Sequence, residues 1–217
     1  MLPDLFKEIE VSDMKAALNI ASVLARWSRN AGQAMAWLIV PLVFIIMFDV
    51  ITRKVDFIRL YFSEFSIEYG YSVSTILQDL EWHIHGIILL MTFGFGYLAN
   101  AHVRVDVFRE HIHPRRQAWL EFIGLMIMAV PFLFLMGWQS WILMAVSFHQ
   151  GEGSESLTGI PWRYVIKSFM IIGVVVLSMA VVATLCRLAV YLFGSRTEHD
   201  EARESLEIFN YEHHRPE

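Results

Sequence analysis

The chain has 217 residues, 56% hydrophobic and 18% charged, with a formal net charge of -5 and a mean hydropathy of +0.47. Soluble domains carry roughly a quarter charged residues, and the apolar excess here is gathered into four long blocks, the pattern of an all-α membrane protein. The lone Cys186 excludes an internal disulfide framework and a multi-cysteine metal site, and no basic patch with interleaved aromatics points to nucleic acid.

Residues 1–30 read as a cytoplasmic, amphipathic N-terminal arm. Met14, Ala17, Leu18, Ala21 and Ala25 fall at helical spacing, and Ile20, Val23, Leu24 and Trp27 widen the stripe. Ser12 or Asp13 is the expected N-cap. Lys15, Arg26 and Arg29 suit contact with anionic headgroups, so the segment is expected to lie on the membrane surface. The alternative is that it begins a long first helix. The first apolar run starts near Ala31 and exceeds the roughly 7–15 residues of a signal h-region, so it is expected to stay as an anchor.

Spans are predicted over 31–51, 83–101, 119–148 and 164–193, each near or above the roughly 20 residues that cross a bilayer. The first contains Pro41 and ends close to Asp49. In the second, Gly86, Gly94 and Gly96 are candidates for close helix approach. Pro131 is expected to kink the third. Between the first two spans, Ile58, Tyr61, Phe62, Phe65 and Tyr69 recur at helical spacing, which predicts a short external amphipathic helix. Residues 194–217 form a charged tail. With the N-terminus inside, twelve of the 17 Lys and Arg residues are cytoplasmic and five external, so both termini are placed in the cytoplasm.

Nothing along the chain resembles catalytic machinery, and no catalytic, metal or cofactor residue is assigned. A bis-histidine haem, as in a membrane electron-transfer subunit, needs two histidines at one depth on different helices. His83 and His149 come nearest, but both lie near the external surface. Asp49, Glu121, Lys167 and Arg187, the ionisable residues within spans, sit near span ends, where snorkelling or pairing with a partner explains them. No broken helix marks a transport site. Two stretches are richer in polar residues than spanning requires. One is Leu77–Gly86, with Glu81, Trp82 and His83. The other is Asn100–Phe108, where His102, Arg104 and Asp106 form a polar knot at the cytoplasmic exit of the second span.

These residues carry a family resemblance. Glu81-Trp82-His83, the following apolar span, and His102-Val103-Arg104-Val105-Asp106-Val107-Phe108 are similar to the small membrane (Q-type) subunit of TRAP, or tripartite ATP-independent periplasmic, transporters. His113–Trp119, Pro131 and the stretch Gly159–Ser168, with Pro161, Trp162 and Lys167, fit as well. The match is densest with the mannitol or chloroaromatic-labelled subgroup. The external stretch 56–75 is longer than the family pattern, and Asp79 neighbours its glutamate. The resemblance implies a scaffold subunit in the bacterial inner membrane. It would brace a large M-type permease fed by a periplasmic substrate-binding protein, with lipids around it. The system would import organic acids, such as 2-oxo acids or dicarboxylates, on a sodium gradient. Glu81, Trp82, His83, His102, Arg104, Asp106, Pro161, Trp162 and Lys167 are then structural or partner-interface residues, with no substrate site in this chain. A free-standing membrane adaptor is the remaining alternative.

Overall fold

A computed structural model describes residues 2–101, 112–156, 158–194, 202–203 and 206, with side chains from Met14 onward. Every regular element among the described residues is helical. In chain order they are α1 (Leu2–Ala36), α2 (Ile39–Lys54), α3 (Asp56–Tyr69), α4 (Val73–Leu98), α5 (Pro114–Gly124), a π-helical turn (Leu125–Ala129), α6 (Val130–His149) and α7 (Tyr164–Phe193).

Local chemistry explains most of the boundaries. Pro41 has no N–H to give the carbonyl of Trp37, and its ring crowds that carbonyl. The chain turns there instead: Leu38 N–H bonds Met35 O at 3.0 Å and Val40 N–H bonds Trp37 O at 3.1 Å. The predicted first span is therefore split at Trp37–Leu38. Arg53 and Lys54 close α2 with positive charge where the helix dipole is negative. Gly70, with φ of 74°, ends α3 in the left-handed region that a side chain would penalise, and its N–H reaches Ser66 O. His113 caps α5, its ring accepting from Arg115 N–H, and Pro114 takes the first helical position. The disturbance expected from Pro131 takes the form of the π turn just before it, which absorbs one extra residue ahead of the missing donor.

One expectation is corrected, and one helix extends beyond the span read from hydropathy. Helix α1 runs unbroken through Ser12 and Asp13, so neither is its N-cap. Helix α4 begins at Val73, ten residues before the predicted span, and holds the polar stretch Leu77–His83 in helical form.

Among the described residues, three helical stretches are long and apolar enough to cross a membrane: Met14–Lys54, Pro114–His149 and Tyr164–Phe193. Helix α4 is not among them, because Asp79, Glu81, His83 and His85 dilute its first turns. Large apolar side chains point outward along these helices, with Trp37 75% and Phe44 72% exposed. A soluble monomer does not leave so much contiguous apolar surface in water; lipid or a protein partner has to cover it.

The chain divides into two compact units. The first comprises residues 1–31, 93–135 and 175–217. Its core joins Ala21 and Ala25 of α1, Leu98 of α4, and Ala180 and Ala183 of α7, with Leu24, Tyr97 and Cys186 against it. Small side chains let the helix backbones come close, which is how helices gain packing where lipid removes the hydrophobic drive. Ser28 Oγ donates to Val176 O of α7 at 3.0 Å. Gly94 lies under that contact: a Cβ there would stand 2.9 Å from Val176 O and closer still to Ser28 Oγ. Gly96 faces open space. At the far end of α7, Trp119, Phe122 and Phe193 stack edge to face, and Arg115 donates to Leu192 O at 3.5 Å. The α1 face bearing Ala21, Ala25 and Ser28 is thus packed on helices, and the opposite face exposes Ile20, Val23 and Trp27.

The second unit comprises residues 32–92 and 136–174. Phe62 of α3 meets Phe48 of α2 edge to face at 6.3 Å, and Tyr164 meets Phe148 at 5.1 Å. No residue of α3 is fully buried. Gly86 also faces open space, whereas Gly173 of α7 backs directly onto Leu90 of α4.

Candidate functional site

The polar chemistry of the second unit gathers around the end of α2, the first turns of α4, the 150–163 loop and the start of α7. Two charge networks organise it.

The first is anchored on Asp49, only 6% exposed. One helical turn later, Arg53 grips it: Nε to Oδ1 at 3.1 Å and Nη2 to Oδ2 at 2.6 Å. A fork-on-carboxylate pair of this kind is strong and directional. Ser74 Oγ of α4 donates to the same carboxylate at 3.3 Å. Gln78, with its amide oxygen turned toward Arg53, accepts from Nη1 and Nη2 at 3.2 and 2.7 Å. Glu81 follows one turn along α4, half-buried, with Oε1 shielded from solvent and without a hydrogen-bond partner among the described residues. Burial pushes its pKa up, the negative Asp49 adds to that, and Arg53 opposes it.

The second network fixes the loop. Lys167 of α7 donates to Glu152, and Arg163 stands 3.7 Å from Glu152 and 3.3 Å from Glu155. The Lys167 hydrogen bond, foremost, holds the Glu152 carboxyl below the usual carboxylate range. Arg163 N–H also donates to Glu152 O at 2.8 Å. The loop is tied to α4 as well: Asp79 Oδ2 accepts from Ile160 N–H at 2.9 Å, and Ser72 N–H donates to Thr158 O at 3.3 Å. Gly159 makes the first tie possible, since a Cβ there would lie 2.6 Å from Ser154 Cβ and collide with Asp79 Oδ2.

On this framework the sequence-predicted residues take different places. Trp82 is 79% exposed and Trp162 64% exposed, the latter at a φ of 64° that non-glycine residues seldom adopt. Pro161 is exposed beside Trp162. His83 is half-buried, and its Nδ1 bonds Asp79 O one turn back. Lys167 is bound into the loop network. The second unit therefore holds Glu81, Trp82, His83, Pro161, Trp162 and Lys167 together. His102, Arg104 and Asp106 lie outside the described residues, as does most of the charged tail. Arg53, Ser74, Gln78, Asp79, Glu152, Arg163 and Gly159 are the structural partners that the sequence reading did not assign. The i,i+4 spacing of Asp49 and Arg53 is a signal it could have used.

Chemically this is a clamp. Its ion pairs and hydrogen bonds hold the end of α2, the first turns of α4, the loop and the start of α7 in place. Among the described residues no three His, Cys, Asp or Glu side chains converge as a metal set. What it presents outward is aromatic.

Residues 42–190 match the family described as tripartite ATP-independent periplasmic transporters, DctQ component. No curated protein and no solved structure matches the chain.

Proposed function

The chain belongs to the DctQ component family of the tripartite ATP-independent periplasmic transporters, and we propose that it serves there as the scaffold subunit that braces a large permease. It is a transporter component, not an enzyme. Helix α4 acts as a fourth span, with its polar first turns projecting from the bilayer, and both termini are cytoplasmic in the bacterial inner membrane. The permease and a periplasmic binding protein carry and deliver the substrate, an organic acid such as a 2-oxo acid or dicarboxylate, and sodium drives uptake. The sequence likeness to the mannitol or chloroaromatic-labelled subgroup belongs to the same reading.

One observation carries the scaffold role: charges locked into a clamp, with Trp82 and Trp162 left exposed beside it. Rigid exposed aromatics next to a polar rim are what a protein–protein anchor looks like. Glu81, Trp82, His83, Pro161, Trp162 and Lys167 support this contact from one unit, and His102, Arg104 and Asp106 are proposed as a second contact. The test is affinity purification of the tagged chain from cells that also express its large permease partner. The permease should co-purify. Trp82→Ala and Trp162→Ala should each weaken the complex by about 2 kcal/mol, the scale of an interface anchor. Undiminished recovery of the permease with both substitutions together would remove this surface from the interface.

A further inference from the structure

Where α2 ends and α3 turns back, a cavity of about 380 Å³ opens in the second unit. Two guanidinium groups, Arg53 and Arg59, line it, along with several hydroxyls and no carboxylate. A count of donors shows what is on offer. Arg53 is largely committed to Asp49 and Gln78. Thr52 and Ser74 spend their hydroxyl hydrogens on the Asp49 carbonyl and carboxylate. Ser72 Oγ accepts from Thr75 N–H, which leaves its own hydrogen to give. The Ser63 hydroxyl makes no hydrogen bond among the described residues. Among the described residues Arg59 has one ion pair, to Asp56 at 2.9 Å, with both side chains well exposed. That engages a single nitrogen of a group with five N–H donors. The cavity therefore holds unspent donors beside two positive charges, a set that suits an oxyanion.

Its position narrows the source. The apolar run of α2 reaches Ile51 and gives way at once to Arg53 and Lys54. Helix α3 then exposes Leu60, Tyr61 and Tyr69. Arginine at the end of an apolar helix, next to a tyrosine-bearing amphipathic helix, is the arrangement of the headgroup layer. The volume falls in the roughly 300–1,000 Å³ range of small-molecule sites, so a lone phosphate would leave most of it empty.

We infer that this cavity binds the phosphodiester of a phospholipid headgroup, with Arg59, Ser63 and Ser72 as the principal donors and Arg53 as a fixed background charge. The inference requires α2 to lie in a bilayer and is independent of the large partner the chain accompanies.

The full chain purified in mild detergent, studied by native mass spectrometry, tests this. A short-chain phosphatidylglycerol and inorganic phosphate are titrated in separate arms. Arg59→Gln removes the charge, Arg59→Lys keeps it without the fork, and Lys54→Gln removes an equal charge from a residue outside the cavity. Circular dichroism confirms that each variant is folded. The wild type and Lys54→Gln should bind one lipid with equal affinity. Arg59→Gln should lose at least tenfold, Arg59→Lys should fall between, and millimolar phosphate should not displace the lipid. Equal binding by wild type and Arg59→Gln would overturn the site. An equal loss in Lys54→Gln would reduce it to general surface charge. Displacement by phosphate would make it a free-anion site and overturn the headgroup assignment.

Discussion

At the scale of single residues, Asp49 anchors the first charge network of the second unit. A carboxylate 6% exposed needs its countercharge, and Arg53 supplies it from one turn away. Removing one partner of a fully buried pair costs about 3–5 kcal/mol, and an exposed pair is worth about 0–1 kcal/mol. Arg53 keeps 43% of its side-chain surface exposed. Arg53→Gln should therefore destabilise by about 2 kcal/mol, between those limits, and Asp49→Asn in the same chain should recover part of the loss. Thermal unfolding in detergent checks both. The glycines of α4 give a matched comparison. Gly94→Ala puts a methyl against Ser28 and the Val176 carbonyl, an overpacking expected to cost about 1–3 kcal/mol. Gly96→Ala meets nothing within 4 Å and should be neutral, or stabilising by roughly 0.5–1 kcal/mol through helix propensity. Equal melting temperatures for the two variants would contradict the packing described for the first unit.

At the scale of elements, helix identity was largely legible and tertiary pairing was not. Helix α7 covers the same residues 164–193 that hydropathy picks out, and α3, Asp56–Tyr69, covers the amphipathic stretch that runs from Ile58 to Tyr69. Periodicity reports local order, so it finds these. It does not report that Asp79 will cap the backbone of Ile160, 81 positions away, or that Lys167 will reach back to Glu152. Of the three glycines singled out in α4, only Gly94 meets a neighbour, because spacing alone does not say which face is packed. Helix α4 starts ten residues ahead of the predicted span for a physical reason: its first turns are polar, and a hydropathy reading stops where helix and apolar run part company. The loop makes its own prediction. Glu152 is held below the usual carboxylate range by Lys167, so its folded pKa lies under its unfolded one. The stability it lends is complete above the unfolded pKa and is lost as pH falls through the folded pKa. Hydrogen exchange in residues 150–163 should be slow at neutral pH and rise in acid below the ordinary carboxylate range. In Lys167→Ala it should already be fast at pH 7. An unchanged exchange rate in that variant would release the loop from this network.

At the scale of the whole molecule, we propose that a largely apolar helical chain, whose second unit pairs its charges, supports another protein's transport and performs none itself. Topology comes first. In a chain with Cys186 replaced, cysteine at position 66 should react with an impermeant reagent outside intact cells. Cysteine at position 205 should react only after lysis. External labelling at 205 would reverse the orientation proposed from the Lys and Arg distribution. The most direct measurement is uptake into liposomes under an inward sodium gradient, with the cognate binding protein and its ligand outside. This chain alone should give no uptake above empty liposomes. This chain together with the large permease should give sodium-dependent uptake, and the permease alone should give much less. Sodium-dependent uptake by this chain alone would contradict the scaffold assignment outright.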